Sequence, residues 1–375
     1  MRAPGAKARY IMIGGFLGAG KTTAISRLAR YLTDEGMRVG LITNDQGSNL
    51  VDTAMLSSRG FPVEEIAGGC FCCRFNSLTD AAEKLSAEKR PDVFIAEPVG
   101  SCTDLVATVT YPLRRIYGNS FTIAPFSVML DPVRALRILG LEDGAAFSEK
   151  VRYIYRKQLE EAHIIIINKS DLVEPPRLQR LNEALNQRFP KAEILEISAR
   201  TGDGLQTWFP RILADSQPGG RAIEVDYEIY AEGEALLGWL NATIQVSSAS
   251  AFDGNAMLRQ FADVVHRRIG AANGEVAHMK MTLDPESGFG DLAAINLVRN
   301  DFVPELSQEL PEPIMDARLI ANVRAEADPA DLEKCLREAL SEFVSSDARI
   351  IATVDHVECF RPGRPVPVHR LESSE

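Results

Sequence analysis

The chain has 375 residues, 45% of them hydrophobic and 25% charged, a balance that excludes disordered and fibrous classes and suggests about two domains at roughly 150 residues each. Lysine and arginine number 41 against 52 aspartates and glutamates, and the resulting net charge of −11 argues against nucleic acid or an anionic membrane as a partner. The longest run of large aliphatics, 164–167, is far short of the roughly 20 apolar residues of a membrane span, and the stretch after Arg2, Lys7 and Arg9 is too broken by glycine for a signal peptide, so the chain reads as cytoplasmic.

In chain order, strands are expected at 10–13, 39–43, 93–96, 126–130, 163–167 and 193–197, alternating with helical periodicity. Ile25, Leu28, Ala29 and Leu32 mark the apolar stripe of one intervening helix. Such alternation implies an α/β fold, a doubly wound and mostly parallel sheet, over a first domain of residues 1–215. Breaker residues at 215–220 (DSQPGG) mark a linker. The second domain, 216–375, reads as α+β, with strands at 225–230, 239–247, 276–283, 292–298, 318–325 and 349–358, and helices at about 253–269 and 329–344. Residues 304–313 form a proline-rich surface loop in this reading, and the two chain ends carry no chemical pattern.

The segment Gly15-Phe16-Leu17-Gly18-Ala19-Gly20-Lys21-Thr22, continued by Thr23, fits G-x-x-x-x-G-K-[ST] between an expected strand and an expected helix. Glycines let successive N–H groups curl around phosphates, the helix N-terminus adds its positive dipole end, Lys21 reaches the β- and γ-phosphates, and Thr22 offers a hydroxyl to Mg²⁺. Downstream, Asn168-Lys169-Ser170-Asp171 follows the run 163–167. A carboxylate at Asp171 accepts the N1 and N2 donors of guanine, which adenine lacks, and the Lys169 stem covers the base, so GTP is expected rather than ATP. Ser198 and Ala199 fall where a loop closes over the guanine oxygen; the alternative for Asp171 is a cap on the next helix.

Two acidic positions compete for metal and water roles. Glu97 ends an apolar strand and, with Gly100 three residues on, suits a Mg²⁺ contact and a γ-phosphate sensor; Asp45, in Thr43-Asn44-Asp45-Gln46-Gly47, approaches the same ion from a switch segment. A solvated turn carboxylate is the alternative for each. Ser101 stands where many signalling GTPases place a water-orienting glutamine, so slow intrinsic hydrolysis is expected, with Gln46 as a substitute.

Cys70, Cys72 and Cys73 in Gly68-Gly69-Cys70-Phe71-Cys72-Cys73 are too close in sequence for relaxed disulfides and suit a soft or borderline metal ion in a reducing compartment. Cys102 is a candidate fourth ligand, with plain burial as its alternative. His356 and Glu358, on one strand face near Cys359, form a weaker candidate site, and Cys335 falls on the core stripe of its helix.

On these residues, Gly14 to Thr23, Asn44 to Gly47, Gly68 to Cys73, Glu97 to Gly100 and Asn168 to Asp171, the chain resembles the CobW-like metallochaperone P-loop GTPases, relatives of the urease and hydrogenase maturation GTPases. The resemblance covers 9–215. It implies GTP and Mg²⁺ as ligands, hydrolysis coupled to delivery of a transition metal (Zn²⁺ first, with Co²⁺, Ni²⁺ and Fe²⁺ among relatives), a client metalloprotein as partner and a nucleotide-dependent homodimer. The family's usual N-E-F-G is Asn44-Asp45-Gln46-Gly47 here, Pro98 replaces a small hydroxyl residue, and the five histidines form no storage stretch.

Overall fold

The computed structural model describes residues 7–44, 51, 56–57, 60–87, 90–145, 147–214, 216–219, 221–285, 291–346 and 349–373. Two compact units divide the chain: Met1–Gln46, Phe61–Gly233 and Pro365–Glu375 form one, and Gly47–Gly60 with Glu234–Arg364 the other. Among the described residues, no helix is long and apolar enough to cross a membrane.

The first unit is built on β1 (Ala8–Gly15), β2 (Val39–Asn44), β3 (Val63–Ile66), β4 (Val93–Glu97), β5 (Phe121–Ile123), β6 (Ser127–Leu130), β7 (Ile164–Ile167) and β8 (Glu193–Glu196). They pair in the order β3-β2-β4-β1-β6-β7-β8, with β5 also on β1, and every pairing is parallel. The run Ile164–Ile167 is buried throughout, as a central parallel strand requires. In the helix Lys21–Asp34 the expected stripe of Ile25, Leu28, Ala29 and Leu32 is buried against the sheet side. The doubly wound fold places the C-terminal ends of β1, β2 and β4 side by side, the edge at which such sheets bind ligands.

The second unit is one antiparallel sheet of β9 (Leu237–Phe252), β10 (Glu275–Asp284), β11 (Ala293–Leu297), β12 (Glu305–Gln308), β13 (Ile314–Glu326) and β14 (Ile350–Phe360), ordered β12-β11-β10-β13-β9-β14. Helices Gly254–Ala271 and Pro329–Ser346 supply Phe261, Leu336 and Phe343 to a core shared with Leu240, Ile244, Met281 and Leu319. Cys335 lies in this core, as its stripe position indicates. Val51 packs with Leu292, Ala294 and Ile320 in a separate cluster, its N–H donating to Asn322 Oδ1 at 3.0 Å.

Three expectations change. The segment expected as strand 225–230 enters the helix Tyr227–Leu236: Asp226 Oδ1 accepts the N–H groups of Glu228 and Ile229 at 2.9 and 3.2 Å, a helix-start pattern that outweighs the alternation of apolar residues. The boundary between units falls after Gly233 rather than 215, because Tyr230, fully buried, accepts the Thr103 N–H on its hydroxyl, and Pro365–Glu375 returns to the first unit. The proline-rich segment contains β12, whose Glu305 and Leu306 pair with Asn296 and Ile295.

Candidate functional site: a phosphate loop beside a thiol cluster

The loop from Gly15 to Gly20 joins β1 to the helix that begins at Lys21. Gly20 has φ +92°, and a Cβ there would meet Asn168 Nδ2 at 2.3 Å, so both conformation and space require glycine. Lys21 Nζ donates to Gly15 O at 2.9 Å, and Thr22 Oγ1 donates to Glu97 Oε1 at 3.0 Å. Both Thr22 and Glu97 are buried. A hydroxyl and a carboxylate oxygen held together at the loop are a hard-oxygen donor pair of the type Mg²⁺ takes with phosphates. Thr23, next on the helix, is exposed.

The Asn168 to Asp171 segment braces this loop from the other side. Asn168 Nδ2 donates to Ala19 O at 2.8 Å while its Oδ1 accepts the Ala199 N–H at 2.9 Å, joining the phosphate loop to the segment Ser198-Ala199. Lys169, at φ 58°, sends Nζ to Gly18 O at 2.7 Å and to Asp131 Oδ2 at 2.9 Å. Asp171 is exposed in the short turn Ser170–Leu172, and the helix Pro175–Arg188 has Glu174 at its N-cap, which removes the capping alternative for Asp171. Ser198 Oγ accepts the Thr201 N–H at 3.1 Å, which shapes the closing loop.

Two bracing residues escape the motif reading. Asp131 caps the helix Pro132–Ile138 by accepting the Arg134 N–H, and Arg134 donates to Leu17 O while its guanidinium lies 5.5 Å from the Phe16 ring centroid and 5.2 Å from that of Phe147. The string Leu130-Asp131-Pro132, a strand end, a capping acid and a proline at the first helical position, is the signal that points to Asp131. Arg134 has no comparable signal.

The three clustered cysteines meet. Sγ of Cys70 lies 2.9 Å from that of Cys72 and 3.1 Å from that of Cys73, and Cys72 and Cys73 are 3.7 Å apart. Cys70 and Cys72 are buried, Cys73 half-buried, and none is in a disulfide. The turn is closed by the Cys73 and Arg74 N–H groups on Cys70 O, at 3.0 and 2.9 Å, and runs into the helix Phe75–Leu85, whose positive end favours thiolate. Hydrogen bonds from Cys102, then Cys72 and Cys73, hold the Cys70 thiol well below the ordinary thiol range. Hydrogen bonding to Cys70 drives Cys72 well up and Cys73 to about 11. Of the three thiols, that of Cys70 is thus the first to give up its proton, and a bound cation would draw off the others.

Strands and loops tie this cluster to the phosphate loop. Asn44, ending β2, donates through Nδ2 to Ile66 O at 2.9 Å and to Gly69 O at 2.7 Å, next to Cys70. Gly100 follows Glu97 on the other side, and a Cβ there would lie 3.0 Å from Leu17 N, so the expected sensor glycine touches the phosphate loop itself. Asp45, Gln46 and Gly47, the expected switch residues, lie outside the described residues.

The C-terminal end, without chemistry in the sequence reading, lies on the thiols. Val366 N–H donates to Cys73 Sγ at 3.3 Å, Val368 N–H to Cys72 O at 2.9 Å, and Arg370 Nε to the fully buried Asp104 at 2.7 Å. Contacts across nearly three hundred residues leave no local pattern to read. His356 is exposed on β14, and among the described residues the group of three or more candidate metal ligands is Cys70, Cys72 and Cys73.

The sequence profile described as "CobW/HypB/UreG, nucleotide-binding domain" matches residues 9–196. The zinc chaperone CobW of a Sinorhizobium species is 28% identical over 223 residues, 54% of this chain and 62% of its own length. The zinc chaperone YeiR of Escherichia coli is 30% identical over 207 residues, 54% of this chain and 59% of its own length. The match therefore spans about three-fifths of each relative. The crystal structure of the hydrogenase maturation factor HypB from Archaeoglobus fulgidus aligns over 55% of this chain and 89% of its own, with a TM-score of 0.40 and 19% identity.

Proposed function

We propose, from the premise that the chain belongs to the CobW/HypB/UreG nucleotide-binding family, that it is a GTP-hydrolysing metallochaperone which loads a transition-metal ion on Cys70, Cys72 and Cys73 and delivers it to a client metalloprotein. The observation that carries this reading is the meeting of three free thiols, all ligand atoms within 4.8 Å of one another, on a segment hydrogen-bonded to the end of a strand of the nucleotide fold. Zinc is the expected cargo, since two relatives named zinc chaperones each match 54% of the chain and three thiolates suit a d¹⁰ ion with one further position for exchange.

In this reading Lys21 and the loop N–H groups of Gly15, Gly18, Ala19 and Gly20 hold the phosphates, with Thr23 in the first turn of the helix behind them. Asn168, Lys169, Asp171, Ser198 and Ala199 hold the guanine. Thr22 and Glu97 would hold Mg²⁺, which neutralises charge on the β- and γ-phosphates when bound. Water attacks the γ-phosphorus, the bond to the bridging oxygen breaks, and GDP and phosphate leave; Gly100 reports the loss. Asp45 belongs to the same proposal as a switch-side group. By linkage, if GTP tightens the thiol site then metal tightens GTP binding by the same factor, typically about 5 to 150-fold.

Zinc titration of the reduced full chain, with GDP and with a non-hydrolysable GTP analogue, tests the reading. The wild type should bind zinc more tightly with the analogue, and Cys72→Ser should lose most of its affinity in both states. Equal affinities with the two nucleotides would remove the coupling, and undiminished binding by Cys72→Ser would remove the site. A second occupant of the same thiols, a structural zinc that never exchanges, predicts that turnover leaves the metal unextracted by a chelator.

A further inference from the structure

We propose that Cys102 is the fourth sulfur ligand of the thiol site, and that it is the ligand the nucleotide adds or withdraws. This deepens the metallochaperone reading and rests on it.

Cys102 is 1% exposed and its thiol hydrogen-bonds that of Cys70, while its sulfur stands outside the set of three ligand atoms that lie within 4.8 Å of one another, the arrangement of a fourth ligand withdrawn. A tetrahedral Zn–S₄ site has bonds of about 2.3 Å, hence sulfur edges of about 3.8 Å. The three spacings of 2.9, 3.1 and 3.7 Å reach that geometry by a small spreading, which a cation between the sulfurs would itself produce.

What sets Cys102 apart is the segment it rides on. It lies two residues beyond Gly100, at most about 7 Å along the chain, and Gly100 abuts Leu17 of the phosphate loop. The Cys102 N–H donates to Val99 O at 3.0 Å, and Gln158 Nε2 donates to both Gly100 O and Cys102 O at 2.9 Å, so one amide clamps the sensor glycine and the cysteine together. A shift of Gly100 on loss of the γ-phosphate therefore moves Cys102, while Cys70, Cys72 and Cys73 stay on their own turn. Release is a ligand exchange with no redox change: a client thiolate or imidazole bonds to the ion as the Cys102 sulfur leaves, and Cys102 recovers a proton from solvent. The site is closed with GTP and open at one position with GDP.

X-ray absorption on the reduced full chain loaded with one equivalent of Zn²⁺ tests this without any substitution. Four sulfurs per zinc with Mg²⁺ and the GTP analogue, and three sulfurs with one lighter ligand in the GDP form, support the proposal. Cys102→Ser should bring the wild-type affinity ratio between the two nucleotide states, about 5 to 150-fold, close to one, while still binding zinc. Three sulfurs in both states, with Cys102→Ser keeping the wild-type ratio, would overturn this inference and leave the three-thiol chaperone standing. Zinc bound without sulfur would overturn the functional reading itself, and this proposal with it.

Discussion

Asn168 accepts from Ala199 and donates to Ala19, a pair of opposite roles that an amide can fill and a carboxylate cannot. Asp171, three residues on, is exposed, and in the proposed reading its oxygens take the base. A carboxylate accepts both N1–H and N2–H of guanine, whereas an amide presents its own N–H to the C2 carbonyl of xanthine. Asp171→Asn should therefore weaken GTP binding by about 10 to 100-fold, at roughly 1.5–3 kcal/mol for a hydrogen bond to a charged group, and should improve binding of xanthosine triphosphate. Competition binding of the two nucleotides measures this, and an unchanged preference for GTP would exclude Asp171 from the base site. These residues were legible because each motif is short and its members lie on one turn. Arg134 was not, because its partners Leu17, Phe16 and Phe147 come from separate segments.

The helix Glu149–Glu160 and its C-cap, Glu161, brace the segment from Gly100 to Val106. Glu161 accepts the Thr103 hydroxyl at 3.1 Å and the Val106 N–H at 3.0 Å, and burial pushes its carboxyl up to about 8. The neighbouring Asp104 carboxylate, paired with Arg370 and the Tyr227 hydroxyl, raises it further. A carboxyl raised in the folded state binds its proton more tightly there than in the unfolded chain. Its stabilising contribution is complete below its ordinary value of 4.5 and is lost as pH rises towards about 8. Between those limits Glu161→Gln should remove a slope approaching 1.4 kcal/mol per pH unit, at most, from the wild-type unfolding free energy. Denaturation midpoints of both proteins at about pH 5, 6, 7 and 8 would show it, and parallel curves would assign the proton elsewhere. At this scale, the longer strands followed from apolar runs; the short β3, β5 and β12 were not anticipated, and the helix Tyr227–Leu236 was misread, since its apolar residues also alternate and the deciding bonds come from Asp226.

At the scale of the whole molecule, the chain passes between units after Gln46, Gly60, Gly233 and Arg364, so residues 365–375 complete a unit begun at the N-terminus. In that unit they contact Cys72 and Cys73 through backbone N–H groups and place Arg370 on Asp104, while His369 packs edge-on against Phe75 with ring centroids 4.9 Å apart. Deleting residues 365–375 should speed zinc extraction by a chelator, because the cover over Cys73 is gone. It should also cost about 1–3 kcal/mol in urea denaturation, since Asp104 loses its cationic partner and keeps only the Tyr227 hydroxyl, a figure held down by the partial exposure of Arg370. Unchanged extraction would show that the segment does not guard the thiols. The sequence alone determined the parallel nucleotide fold and the three-cysteine turn, for these depend on local spacing: a glycine loop between strand and helix, and sulfurs within four residues. Only the tertiary structure decided that Cys102 and Val366 meet that turn and that Gln158 ties Cys102 to Gly100, because each arrives from a distant segment through one or two hydrogen bonds, and such bonds impose no period on the chain.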